Sequence, residues 1–88
     1  MAKLIQNEND RVRALSGYYG ERLLTGSSAV GDYFVGFYVI TDATISWVND
    51  TPYGDASQTS LAIPAGMSIV GDMTTVVVAS GSILAKLG

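Results

Sequence analysis

At 88 residues, with neither cysteine nor histidine, the chain has room for one domain with a small core and has no disulfide, thiolate or imidazole to work with. Apolar residues make up 48 % and charged residues 15 %, against about 25 % charged in ordinary soluble domains. A formal charge of −3 argues against a nucleic-acid partner, which needs a clustered basic footprint, and no run approaches the roughly 20 apolar residues of a membrane span.

The charge is unevenly placed. Residues 1–22 carry four basic against three acidic side chains, a net +1, whereas residues 23–88 carry Lys86 against five aspartates, a net −4. The body between Leu23 and Ala85 therefore lacks the lysines that usually guard exposed strand edges, and edges without them are expected to be paired or covered within an assembly. With no disulfide or metal staple available, self-association is the expected extra source of stability.

In chain order, "MAKLIQNENDRVR" has no apolar stretch of the secretory kind, so synthesis in the cytoplasm is expected. "NDRVRALSG" reads as one or two helical turns, with Asn9 or Asp10 as N-cap and Gly17 as stop, or equally as an extended arm that packs on a neighbouring subunit. Gly26, Ser27 and Ser28 make the best boundary, giving an arm or head at 1–28 and a β body at 29–88.

From Tyr33 the strand signal is clear. "YFVGFYVI" is aromatic and β-branched, with Gly36 as a bulge or close approach; a turn at Thr41-Asp42 leads into "ATISWV". "NDTPYGDASQT" is a polar loop. Four short strands follow, Ser60 to Ile63, Met67 to Val70, Thr74 to Ala79 and Ser82 to Leu87. Pro64-Ala65-Gly66, Gly71-Asp72 and Ser80-Gly81 separate them as turns of the hairpin kind, Gly71-Asp72 being the clearest. The expected fold is all-β: a small antiparallel sandwich, barrel or prism with an N-terminal arm or short helix.

Catalytic chemistry finds little purchase. A base tuned to neutral pH is most often His, and a thiolate needs Cys. Carboxylate pairs for glycoside hydrolysis could be drawn from Asp42, Asp50, Asp55 and Asp72, but no spacing selects a pair and each sits where a turn or loop favours Asp. "GSSAVG" fails as a phosphate loop because Asp32 and Tyr33 follow where Lys and Ser or Thr are required. "NDTPYGD" offers oxygens from Asn49, Asp50 and Asp55 without the ordered spacing of a calcium loop, and an Asx-rich turn accounts for it. No enzyme activity, no cofactor and no metal site is therefore expected.

Two sets of side chains remain as candidate contacts. Arg11, Arg13, Tyr18, Tyr19 and Arg22 in the mixed-charge head are candidates for a protein partner. Trp47 and Tyr53 are candidates for a subunit interface or, with Tyr38 and Asp50 nearby in sequence, for a glycan-facing platform; a lone Trp also commonly anchors a core.

At "VITDATIS" (Val39 to Ser46) and "LAIPAGMSIVGDMTTVVVASGSILAKL" (Leu61 to Leu87) the chain resembles small virion proteins of tailed bacteriophages. In these a strand ending in a "TDATI"-like turn precedes a "LPAGxxIxGxxTxxxVxSGxxIAY"-like tail. The resemblance covers about the last 50 residues, and Lys86, Leu87 and Gly88 stand where the family commonly ends in an aromatic. It implies a non-enzymatic capsid decoration or cement protein, a homotrimer seated on the phage head against the major capsid protein or another virion protein. A tail or fibre accessory protein that binds host glycan is the alternative, and a small acidic-residue hydrolase a third.

Overall fold

The computed structural model describes residues 3–26 and 28–88, so Ser27 of the expected boundary lies outside the described residues. One short helix, α1 (Glu8–Leu15), precedes five strands: β1 (Glu21–Thr25), β2 (Ser28–Val30), β3 (Phe34–Asn49), β4 (Ser57–Ile63) and β5 (Ser68–Leu87). The fold is all-β with a short helix, as expected.

The helix forms where "NDRVRALSG" predicts it, but Asn7 caps it in place of Asn9 or Asp10. The Asn7 side chain accepts from the Asp10 amide at 2.9 Å, and Asp10 in turn accepts from the Gln6 amide at 3.0 Å, so two amides outside the intrahelical ladder are satisfied. Gly17, at φ +93°, ends the helix in a backbone region that costs a residue with Cβ about 1–2 kcal/mol.

The strands are fewer and longer than their turn residues suggest. Thr41-Asp42, Gly71-Asp72 and Ser80-Gly81 do not reverse the chain: β3 runs through the first pair for 16 residues, and β5 through the other two for 20. All are places where a continuing strand bends. The strand order is β1-β5-β3-β4, with β2 also on β5. Along one edge of β3 the partners on β5 fall as β3 rises, from Ile45–Val78 to Trp47–Val76; along the other they fall from Gly36–Val70 to Tyr38–Ser68. The two strands are therefore antiparallel on both edges, and β3 curls far enough for Phe34 and Asn49, its two ends, both to pair with Met73.

This curl folds the sheet over on itself. In one half, β1, the end of β5, the start of β3 and the start of β5 lie side by side; in the other, β2, the middle of β5, the end of β3 and β4 do. The bends lie close together. Asp42 and Ala43 of β3 oppose Gly81 alone, between the pairs Thr41–Ser82 and Thr44–Ser80, which is a β-bulge. A Cβ on Gly81, at φ +83°, would lie 2.7 Å from the Ala43 Cα, so this crossing requires glycine. Gly26, between β1 and β2, lies against Ser80, and the Asp42 carboxylate accepts the Ala65 amide at 2.8 Å, fixing the Pro64–Gly66 bend beside it.

Between the two halves lies the main core, including Phe34, Phe37, Val39, Ile45, Met73, Val76, Val78 and Ile83. Alternation explains it: Phe37, Val39, Ala43, Ile45 and Trp47 point inward from β3 while Tyr38, Ile40 and Val48 point out. A second, smaller cluster of Ile5, Ala14, Tyr33 and Val35 seats the arm and α1 on the outside of β3. The accessible surface of 4786 Å² matches the roughly 4,900 Å² expected of a compact monomer of 9.2 kDa. The core is closed within one chain.

The sheet crosses the expected boundary at 26–28. β1 pairs with β5 from Glu21–Lys86 to Thr25–Ser82, so the part of the head lying outside the sheet ends near Gly20.

Candidate functional site

The register aligns outward-facing side chains in rows. Leu23 of β1 stands beside Leu84 of β5, Leu84 beside Tyr38 of β3, and Tyr38 beside Ser68 at the start of β5. The next row runs Glu21, Lys86, Gly36, Val70. Four strands at about 4.8 Å spacing make the uncharged row about 14 Å wide. Leu23 is 62 % exposed and Val70 61 %; Tyr38, Ile40 and Met67 are also exposed. The Lys86–Glu21 ion pair bounds this apolar strip on one side. Leu15 of α1, Gly36, Tyr38, Ile69 and Val70 line an open groove of about 240 Å³ beside it.

Two of the edges, β4 and β1, are guarded in another way than by lysine. On β4, Thr59 and Ser60 oppose Ser46 of β3 between the pairs Ile45–Leu61 and Trp47–Gln58; Ser60 has φ +52°, and its amide donates to the Ser46 hydroxyl at 2.8 Å. A bulge of this kind twists an edge out of the flat geometry that another strand needs. The β1 edge carries Arg22, ion-paired with Asp32.

The five head candidates separate. Arg11 is bound inward: its guanidinium pairs with Asp72 at the bend of β5 and with Glu8 at 3.1 Å. Arg22 is engaged by Asp32, and Tyr19 packs on both apolar clusters. Tyr18 is 63 % exposed, edge-on to Tyr19 with centroids 4.9 Å apart, and the Arg13 guanidinium sits 5.5 Å from its ring centroid. Arg13 and Tyr18 are the pair that faces outward together.

Trp47 and Tyr53 lie in different environments. Trp47 is in the main core, 5.5 Å from Phe37 between ring centroids, and its indole N–H donates to Asn49 Oδ1 at 3.0 Å. Inward alternation from Ala43 and Ile45 sets that orientation. Tyr53 is 81 % exposed on the β3–β4 loop. That loop is held by its own polar groups: Asn49 donates to the Asp55 carbonyl at 3.0 Å, and Gln58 to the Asp55 carboxylate at 3.0 Å. Asp42, at the sheet corner, lines an open concavity of about 370 Å³ with Thr44, Ile63, Pro64 and Ser80. Among the described residues no three His, Cys, Asp or Glu side chains come together as metal ligands would.

The polar cluster at Asp72 was not legible in the sequence. The Arg11 guanidinium holds the Asp72 carboxyl below its ordinary value, against the opposing effect of burial. Tyr33 is buried, its hydroxyl meets no partner at hydrogen-bond geometry among the described residues, and burial, then the Asp72 charge, push its pKa up. The Lys3 ammonium lies 5.3 Å from the Tyr33 ring centroid. Nothing local signals that residues 11, 33 and 72 meet.

Comparison with known proteins finds no matching family model, no matching curated protein and no matching solved structure.

Proposed function

We propose that this chain is a non-enzymatic structural protein of a bacteriophage virion, a decoration or cement protein that stabilises the head as a homo-oligomer, with a trimer the favoured state. The observation that carries the assembly part is the strip Leu23–Leu84–Tyr38, flanked by Val70 and Ile40, on the outside of a fold whose core is already closed. Contiguous exposed apolar surface on a small protein marks a site that another molecule covers. A standard interface takes about 800 Å² from each partner, so the strip would be its centre and the neighbouring polar surface its rim. The virion part rests on the resemblance of residues 39–46 and 61–87 to small virion proteins of tailed bacteriophages.

In this reading each subunit adds a modest contact to the shell, and the symmetric copies multiply it into avidity. Arg13 with Tyr18, outside the sheet, are the side chains for the capsid contact. Native mass across a hundredfold dilution tests the assembly. A stable oligomer that Tyr38→Glu converts to a folded monomer supports the reading. A wild-type monomer at every concentration overturns it. Binding to purified capsid shells, lost in Tyr18→Ala with the oligomer intact, tests the shell contact separately.

A further inference from the structure

We propose that residues 3–16 form a strap that opens as one unit from the outer face of the sheet while the strands stay paired, with the Arg11–Asp72 ion pair as its latch and Gly17 as its hinge. The inference stands on the fold and is independent of the virion reading.

The strap is fastened at few points. Its apolar attachment is the satellite cluster, in which Ile5 and Ala14 meet Tyr33 and Val35, with Leu15 and Tyr19 packed against it. The arm contributes the amides of Leu4 and Ile5, both donating to the Gly88 carbonyl. Among the described residues, the single ion pair from the helix to the sheet joins Arg11 to Asp72, 61 residues away, with side chains only 22 % and 25 % exposed. A helix of eight residues does not hold itself in water, so α1 persists because it is docked, and what loosens the docking melts the helix.

The hinge is defined on both sides. Gly17 and Gly20 both have positive φ, and the Gly20 amide donates to the Gly17 carbonyl at 3.0 Å. Beyond them the chain is fixed, because the Leu87 amide donates to the Gly20 carbonyl at 3.0 Å and β1 begins at Glu21. Every strand-to-strand pairing lies outside residues 3–16, so opening costs the satellite cluster, the Lys3–Tyr33 ring contact, the Gly88 bonds and the latch, and leaves the main core as it is. Regions with few buried apolar contacts open at lower free energy than the whole fold. What opening exposes is Val35 on the outside of β3 and Tyr33 just before it.

The charged and titratable groups that bear on the latch are Arg11 and Glu8 from α1, Lys3 from the arm, Tyr33 from the segment before β3 and Asp50 from the β3–β4 loop. Arg11 and Lys3 favour the Asp72 carboxylate. The latch is therefore complete at neutral pH and is lost as Asp72 protonates in acid.

Hydrogen exchange followed by NMR on the whole chain tests this. The amides of Arg11, Ser16 and Tyr18, which donate to Asn7, to Val12 and Arg13, and to Arg13 carbonyls, report the strap; the β3–β5 ladder reports the sheet. After correction for intrinsic rates, strap amides should open at least about a hundredfold more often than ladder amides. Asp72→Asn should raise strap opening about tenfold further and leave the ladder unchanged. Acidification below pH 4 should open the strap in the wild type and have little further effect in Asp72→Asn. Arg11→Gln provides the same reading from the other partner. Strap amides that exchange together with the ladder would overturn the unit, and variants that move strap and ladder alike would overturn the latch.

Discussion

Replacing Gly81 by Ala probes the bend through which β5 passes from one half of the sheet to the other. Two costs combine there. Gly81 has φ +83°, a conformation that costs a residue with Cβ about 1–2 kcal/mol. The added Cβ would also lie 2.7 Å from Ala43 Cα and 2.8 Å from Ala43 Cβ, inside the bulge of β3, and such crowding costs about 1–3 kcal/mol more. The expected loss is about 2–5 kcal/mol. Gly54 and Gly66 isolate the second cost, because their φ values of +72° and +89° carry the same backbone penalty while a Cβ at either meets nothing within 4 Å. Urea unfolding followed by the fluorescence of Trp47, the chain's one tryptophan and a core residue, measures all three variants. Gly26→Ala serves as a control at the same corner, where the nearest atom to an added Cβ is at 3.6 Å. If Gly81→Ala is no less stable than Gly54→Ala and Gly66→Ala, the close crossing of β5 over β3 is not what that glycine serves.

Trp47→Ala should cost about 3–5 kcal/mol in urea unfolding followed by circular dichroism, and Trp47→Phe about 1–2 kcal/mol, since ring packing on Phe37 largely survives and the bond to Asn49 does not; an unchanged midpoint for Trp47→Ala would remove it from the core. Tyr33 titrates above its ordinary value near 10 in the folded chain, so its stabilising effect is complete below pH 10 and fades as pH rises, at up to about 1.4 kcal/mol per pH unit. Tyr33→Phe should keep neutral-pH stability within about 1 kcal/mol, because the buried hydroxyl lacks a well-formed hydrogen bond, and should flatten the alkaline loss; equal alkaline slopes in both proteins would assign that loss elsewhere.

Strand content was readable because the residues that fill the core are β-branched and aromatic and alternate: Phe37, Val39, Ile45 and Trp47 on β3, Val76, Val78 and Ile83 on β5. The direction of the chain after each glycine was not. Gly71-Asp72 and Ser80-Gly81 carry the chemistry of a reversal, but the freedom of backbone that lets glycine close a hairpin also lets it carry a strand round a corner. Which occurs is decided by what lies opposite: Gly81 faces Asp42 and Ala43, about 40 residues away in the chain. β1 was missed for a related reason. "ERLLT" is too short and too mixed to signal a strand, and it is one because Ser82–Lys86 supplies a partner. Of the candidate contacts, the exposure of Tyr18 and Tyr53 and the burial of Trp47 follow from alternation and loop position. The inward turn of Arg11 follows from Asp72, which no local pattern connects to it.

β5 pairs with β1, β2 and β3, so β1 and β2 find their strand partner only in β5, and β3 finds there the partner it has besides β4. Before that segment emerges during synthesis, β3 and β4 can pair as a hairpin, which alone is marginally stable at best. The sheet therefore forms only once β5 is available, in one cooperative step. Because its contacts join distant parts of the sequence, this small chain should fold in milliseconds to seconds and not in microseconds, and its apolar strands stay exposed to chaperones and to one another for most of the time it takes to make them.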